Sequence, residues 1–187
     1  MEVKESINKI NKGQDLSKKE ISSVMNQILT GSVTQDQIVT FLRSLSAKGE
    51  SIEEVIGSAE VMRDLSIKVS VDKEHLVDTC GTGGVGSGIF NVSTTAAFIA
   101  SSCGAKVAKH GNRSTTRQSG SADLLEIAGV ALELNPDQVK QCIENVGVGF
   151  MFAPAHHSAM KYAVGARKEL GIKTIFNLLG PLTNPAG

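Results

Sequence analysis

Apolar positions recur at helical spacing four times within residues 1–70. Val3, Ile7 and Ile10 precede Gly13, and Ile21, Val24, Met25, Ile28 and Leu29 precede Gly31. Ile38, Phe41, Leu42 and Leu45 precede Gly49, and Ile52, Val55, Ile56, Ala59 and Met62 make a fourth stripe. Recurrence at i, i+3 and i+4 predicts amphipathic helices. Three of them open with a capping box, Ser17-x-x-Glu20, Thr34-x-x-Gln37 and Ser51-x-x-Glu54. There the hydroxyl accepts from an orphan N–H while the third side chain reaches back. Glycine at each stop supplies the left-handed conformation that a helix end needs. Residues 1–70 are therefore expected to form a small all-helical domain, with no chemistry visible in it.

Beyond residue 70 the pattern changes to short apolar runs alternating with helical stretches. Residues 76–80 predict a buried strand that runs into 81–88, where five of eight residues are glycine. Further strands are expected at 106–109, 148–152 and 173–177, with Phe150 and Phe152 as core candidates. Helices are expected at about 93–103 and 121–128, from Pro136 to a stop at Gly147, and at about 157–170. Such alternation implies an α/β domain over 71–187 with a mostly parallel sheet.

Composition narrows the function classes. The chain has 187 residues with 19 Lys+Arg, 19 Asp+Glu and 41% apolar residues, which is ordinary for a folded chain. No run of apolar residues is long enough for a transmembrane helix, and Met1-Glu2-Val3-Lys4-Glu5 is too charged for a signal peptide. Cys80, Cys103 and Cys142 lack zinc or CxxC spacing and predict reduced thiols in a cytoplasmic protein. Zero net charge argues against a bulk nucleic-acid binder. Locally, however, residues 79–122 hold Lys106, Lys109, Arg113 and Arg117 and no acid at all.

Candidate chemistry lies in two loops. In the glycine-rich turn, missing side chains let backbone N–H groups approach a phosphate, and the next helix adds its positive end. Asn91, Ser93, Thr94 and Thr95 add donors; a turn that needs glycine for shape alone is the plainer alternative. Gly81-x-Gly83-x-x-Gly86 matches the dinucleotide fingerprint, but the second strand ends in Lys109 where a ribose-binding acid is required. No Gly-Lys-Ser/Thr closes the turn, so a Walker A loop is excluded. The second loop, Lys109-His110-Gly111-Asn112-Arg113-Ser114-Thr115-Thr116-Arg117, follows a strand end and predicts a cationic wall for a pyrophosphate or phosphoribosyl group. A solvated basic loop is its plainer reading. His156-His157, Arg167, Lys168 and Cys80 read more simply as structural or surface residues.

Gly81-Thr-Gly-Gly84, Phe90-Asn-Val-Ser-Thr94 and Lys109-His-Gly-Asn-Arg-Ser114 resemble the anthranilate phosphoribosyltransferase family. Ser119-Gly-Ser-Ala-Asp123, Gly147-Val-Gly-Phe150 and the run from Asn177 to Pro185 extend the resemblance over nearly the whole chain. It implies displacement of pyrophosphate from phosphoribosyl pyrophosphate by the amine of anthranilate, with Mg2+, in tryptophan biosynthesis. It assigns phosphoribosyl pyrophosphate to Gly81, Gly84, Val85 and Ile89 in the first loop, and to Asn91, Val92, Ser93 and Thr94 at the following helix. The same substrate is assigned to Lys109, His110, Gly111, Asn112, Arg113, Ser114, Thr115, Thr116, Arg117 and Ser121. Anthranilate is assigned to Gly81, Asn112 and Arg167, and the metal to Ser93. No residue is assigned to proton transfer. The resemblance further implies a homodimer through the N-terminal helices.

Val85 stands where the family usually has Asp, Ile89 where it has Thr, and Arg117-Gln118 where it has Ser-Lys. Thr82-Gly-Gly-Val-Gly86 also resembles the pyrimidine nucleoside phosphorylases, which keeps a phosphorylase-like enzyme as an alternative. The family continues past Gly187 with more of the sheet and an Asp-Glu pair that binds magnesium, so a chain cut short is expected. On that expectation a non-catalytic binding or dimerisation fragment is a further alternative.

Overall fold

A computed structural model of the chain describes residues 1–82, 90–114 and 119–187. Helices α1 (Val3–Asn11), α2 (Lys18–Leu29), α3 (Gln35–Lys48) and α4 (Ile52–Asp64) come first. Strand β1 (Leu76–Val77), helix α5 (Val92–Ser102), strand β2 (Lys106–Gly111), helices α6 (Ser121–Ile127) and α7 (Pro136–Val146), and strand β3 (Val148–Phe152) follow. Helices α8 (Ala153–His156), α9 (Lys161–Leu170) and α10 (Ile175–Leu179) complete the order. The chain divides into two compact units, Met1–Ser66 with Ser158–Thr183, and Ile67–His157 with Asn184–Gly187.

In the first unit the predicted capping boxes form. Ser17, Thr34 and Ser51 each accept the N–H of the residue three on, and each returns its own N–H to that residue's side chain. Ile21, Met25, Ile28, Phe41, Leu42 and Leu45 are fully enclosed, together with Ala163, Ala166 and Leu179. Each large apolar side chain in such a core contributes about 1.5–3 kcal/mol. The expected stripe on α4 is only partly correct, because Ile52 is 79% exposed while Glu54 is fully buried. Glu54 is drawn inward by polar partners: it accepts from Leu16 N at 2.9 Å, Ser51 N at 2.7 Å and Lys48 Nζ at 2.9 Å.

The strand expected at 173–177 is instead α10. Thr174 N donates to Asn177 Oδ1 at 3.0 Å, and Ile175, Phe176 and Leu179 meet the helical core at i, i+1 and i+4. A short apolar run carries too little periodicity to separate helix from strand. The helix expected at 157–170 is broken, with a 3₁₀ turn at Ser158–Met160 before α9.

In the second unit β1, β2 and β3 form a parallel sheet in that order. Leu76 pairs with Lys106, and Val107 through Gly111 pair with Val148 through Phe152. The period of two along a strand sends alternate residues to opposite faces. Phe150 accordingly packs with Ala122 and Leu125 of α6, while Met151 packs with Val139 and Ile143 of α7. β1 ends at Val77, and the side chain of Asp78 accepts the N–H of His110 at 3.2 Å. Among the described residues no helix is long and apolar enough to cross a membrane.

Candidate functional site

The two loops singled out in the sequence leave the C-terminal ends of β1 and β2, the edge at which parallel sheets hold ligands. Gly84, Val85, Ile89, Thr115, Thr116 and Arg117 lie outside the described residues. The stems of both loops are described, and polar side chains tie them together.

Asp78 and Thr79 organise the first stem. Asp78 Oδ1 accepts from Cys80 N at 2.9 Å and from His110 N at 3.2 Å. Its Oδ2 accepts from Asn184 Nδ2 at 2.8 Å, and that amide also donates to Ala108 O at 2.9 Å. Thr79 Oγ1 donates to Ser93 O at 2.7 Å and accepts from Lys109 Nζ at 3.3 Å. Gly81 beyond them is exposed. Cys80 offers no nucleophile: burial, with Asp78 beside it, pushes its thiol up to about 11.

Helix α5 follows the glycine-rich turn, and its first turn carries no acid to offset the positive helix end. Asn91 Nδ2 donates to Ser119 Oγ at 3.2 Å, and Thr94 Oγ1 donates to Ser121 Oγ at 2.9 Å. Four residues assigned from the sequence or beside such residues are thus joined across 27–28 positions. Val92 is exposed and Ser93 partly buried.

Lys109 is 2% exposed, with its ammonium 3.4 Å from Ser93 Oγ. Burial lowers its pKa, and Asp78 opposes that shift. Among the described residues it makes no ion pair. Two other cations of the expected wall, Lys106 and Arg113, are paired with acids, and Arg117 lies outside the described residues. Lys106 pairs with Asp72 at 2.8 Å, and Arg113 pairs with Asp123 at 3.2 Å and with Glu126 at 2.6 Å. Glu126 and then Asp123 raise the pKa of Arg113, which also lies 5.7 Å from the Phe152 ring. The acids that neutralise these cations come from outside the acid-free run.

The second stem is closed by Asp123, whose Oδ2 accepts from Ser114 N at 3.0 Å and Gly120 N at 2.7 Å. Both N–H groups, then Arg113, lower its pKa. Asn112 Oδ1 accepts from Arg113 N at 2.7 Å, and its carbonyl accepts from Ala122 N at 3.3 Å. Gly120 fits here because a Cβ would stand 2.5 Å from Ser114 N and 2.8 Å from the Asn112 carbonyl oxygen. Gly111 is similarly closed off, with the Phe150 ring 2.8 Å from a would-be Cβ. The buried His110 ring sits 5.1 Å from that of His157. His156 Nδ1 lies 2.9 Å from Ile67 O, a structural contact.

Arg167 belongs to the other unit. It is half-buried on α9, 5.5 Å over the Phe176 ring, and burial lowers its pKa. Sequence reasoning missed Asp78, Thr79, Ser119 and Asp123 as site residues. One signal was available, since Asp78 and Asp123 are the acids that bracket the acid-free run.

Ser93 offers one hard oxygen of the kind magnesium accepts, yet Lys109 already donates to it. Among the described residues no three His, Cys, Asp or Glu side chains gather as a metal site. The described residues therefore do not make a magnesium site by themselves.

Comparison with known proteins places this geometry. A model for the glycosyl transferase family, a/b domain, matches residues 73–187, and one for its helical bundle domain matches residues 4–66. An anthranilate phosphoribosyltransferase from Ectopseudomonas mendocina (strain ymp) is 58% identical over 187 residues, 100% of this chain and 54% of the relative. The crystal structure of anthranilate phosphoribosyltransferase from Thermus thermophilus is 44% identical at a TM-score of 0.90, covering 97% of this chain and 55% of that one. The Saccharomyces cerevisiae enzyme in complex with PRPP and Mg is 30% identical at a TM-score of 0.86, covering 98% of this chain and 55% of that one. The chain thus spans about half the length of the curated relatives it matches.

Proposed function

From the premise that the chain belongs to the glycosyl transferase family, through both its helical bundle and its a/b domain, we propose a phosphoribosyl transfer to anthranilate as the activity of the protein. The amine nitrogen attacks the anomeric carbon of phosphoribosyl pyrophosphate. The bond from that carbon to pyrophosphate breaks, its electron pair leaves on oxygen, and the amine proton passes to solvent. Products are phosphoribosyl-anthranilate and pyrophosphate, which places the reaction in tryptophan biosynthesis.

The observation that carries this reading is the Lys109 ammonium, enclosed where the stems of two donor-rich loops meet. Desolvation strengthens its attraction for a phosphate, and pre-set donors require little reorganisation as pyrophosphate departs. An aromatic amine is neutral near pH 7, so no paired acid and base is needed to create the nucleophile. Positioning and stabilisation of the leaving group then supply most of the catalysis.

In this reading Gly81, Asn91 to Thr94, Lys109 to Ser114 and Ser121 bind phosphoribosyl pyrophosphate, as do Gly84, Val85, Ile89 and Thr115 to Arg117. Arg113 contributes by holding its loop, since its guanidinium is engaged by Asp123 and Glu126. Gly81, Asn112 and Arg167 bind anthranilate, with the guanidinium of Arg167 for the carboxylate. Magnesium accompanies the pyrophosphate as its counter-ion, and no step is assigned to it. Exposed Ile52 and Ile56 support a second copy of the chain as partner, and the free thiols support a reducing, cytoplasmic setting.

The test follows anthranilate fluorescence with the protein in its full natural length. Loss of signal only when phosphoribosyl pyrophosphate and Mg2+ are both present is the expected result. An unchanged signal, with phosphate-dependent cleavage of a pyrimidine nucleoside, would replace this reading by a phosphorylase.

A further inference from the structure

We propose that Asp78 is a positioning residue that holds the stems of the two substrate loops in register; the proposal rests on the phosphoribosyl-transfer reading. One carboxylate here meets three segments distant in sequence. Oδ1 takes the N–H of Cys80, at the entrance of the glycine-rich turn, and the N–H of His110, 32 residues on, at the entrance of the basic loop. Oδ2 takes the side-chain amide of Asn184, 106 residues away.

These bonds lie just past a short sheet ladder. β1 pairs with β2 only at Leu76–Lys106 and Val77–Val107, and no further strand pairing of β1 is present among the described residues. Past Val77 the backbone at Cys80, which leads into the glycine-rich turn, shares the Asp78 carboxylate with the backbone of β2 at His110. The next residue adds to this: Thr79 Oγ1 reaches Ser93 O and Lys109 Nζ. Asp78 and Thr79 together thus tie this stem to β2, to Asn184 and to the first turn of α5. Asn184 completes the hub, because its amide bridges Asp78 Oδ2 and Ala108 O while its Oδ1 accepts Ala186 N at 2.8 Å.

Asp78 touches no substrate in this account. Its carboxylate has both oxygens committed to protein donors, and an anion beside a pyrophosphate would repel it. Its contribution is geometric: a substrate held by donors on both loops binds well only if the loops are a fixed distance apart. A displacement of the order of 1 Å between binding groups is costly in such sites.

The experiment uses the protein in its full natural length, with Asp78→Asn, Asn184→Ala and the exchange Asp78→Asn with Asn184→Asp. An Asn at 78 keeps one acceptor for the two N–H groups but sets a donor against the Asn184 amide. The exchange restores a donor and an acceptor at that contact, at the cost of the bond that Asn184 gives to Ala108 O. For Asp78→Asn the KM for phosphoribosyl pyrophosphate is expected to rise about tenfold, the worth of one charge-assisted hydrogen bond. The KM for anthranilate moves less, Asn184→Ala acts in the same direction, and the exchange recovers part of the loss. An active wild type whose variants fold and keep the KM for phosphoribosyl pyrophosphate would overturn the role of Asp78. So would variants that lose kcat alone in proportion to folded protein. A wild type with no transfer activity would instead overturn the reading beneath it.

Discussion

The ammonium of Lys109 lies 3.4 Å from the hydroxyl of Ser93, joining β2 to the first turn of α5. The residues are 16 positions apart, Lys109 within β2 and Ser93 in the first turn of α5. A buried cation of β2 is thereby fixed at the start of α5.

Replacing that cation tests the electrostatic part of the site. Lys109→Met keeps most of the buried stem volume and leaves the hydroxyls of Thr79 and Ser93 free to re-pair. Affinity for phosphoribosyl pyrophosphate is expected to fall tenfold or more, about 1.5–3 kcal/mol, measured by calorimetry. Undiminished affinity would remove Lys109 from the binding site.

Gly120 tests the shape of the second stem. An added methyl meets backbone atoms at 2.5–2.8 Å, which cannot turn aside as a side chain would. Gly120→Ala is expected to cost about 1–3 kcal/mol of strain and to raise the KM for phosphoribosyl pyrophosphate more than that for anthranilate. Steady-state kinetics with each substrate varied separately gives the comparison.

Arg167 tests the assignment of the second substrate. Arg167→Ala is expected to weaken anthranilate binding by about tenfold or more, the value of a charged pair, and to leave phosphoribosyl pyrophosphate binding nearly unchanged. Equal loss of both would show that the residue acts through the fold, for instance through its contact with Phe176 at 5.5 Å.

Acid titration tests the first unit. Lys9, then the Ser17 N–H, lowers the pKa of Glu20 from the ordinary 4.5 to about 2. A carboxyl depressed in the folded state stabilises above its unfolded pKa and loses that contribution as pH falls through the folded value. The window is therefore pH 4.5 down to about 2. Glu20→Gln should remove about 1 kcal/mol at neutral pH and flatten the stability profile across that window, followed by urea unfolding.

Much of this molecule was legible in the chain, and the exceptions have physical causes. Local signals read correctly: the boxes at Ser17, Thr34 and Ser51, and the Asn135-Pro136 start of α7, where Asn135 Oδ1 accepts Gln138 N at 2.9 Å. The strands at Lys106 and Val148 were also visible as short apolar runs. Ile175 and Phe176 misled because five residues cannot show a helical period, and only the core they enter decides the matter. Ile52 misled in the opposite sense: periodicity marks an apolar face but not what lies against it, and Glu54 was pulled inward by Lys48 and Leu16 N. In the site, glycines and basic residues stood out as residue types. Asp78 did not, since its role consists of bonds to partners 32 and 106 positions away. The neutralisation of Arg113 was hidden for the same reason, as Asp123 and Glu126 lie beyond the run that carries it.

The central claim is bond formation between the amine of anthranilate and the anomeric carbon of the sugar. It is tested most directly by supplying the full-length protein with Mg2+, anthranilate and phosphoribosyl pyrophosphate isotope-labelled at that carbon, and following the label by NMR. The account predicts that the label moves from an oxygen-bound to a nitrogen-bound signal, with one pyrophosphate released for each anthranilate consumed. Label that stays in phosphoribosyl pyrophosphate, while the same preparation cleaves a pyrimidine nucleoside with phosphate, would contradict it.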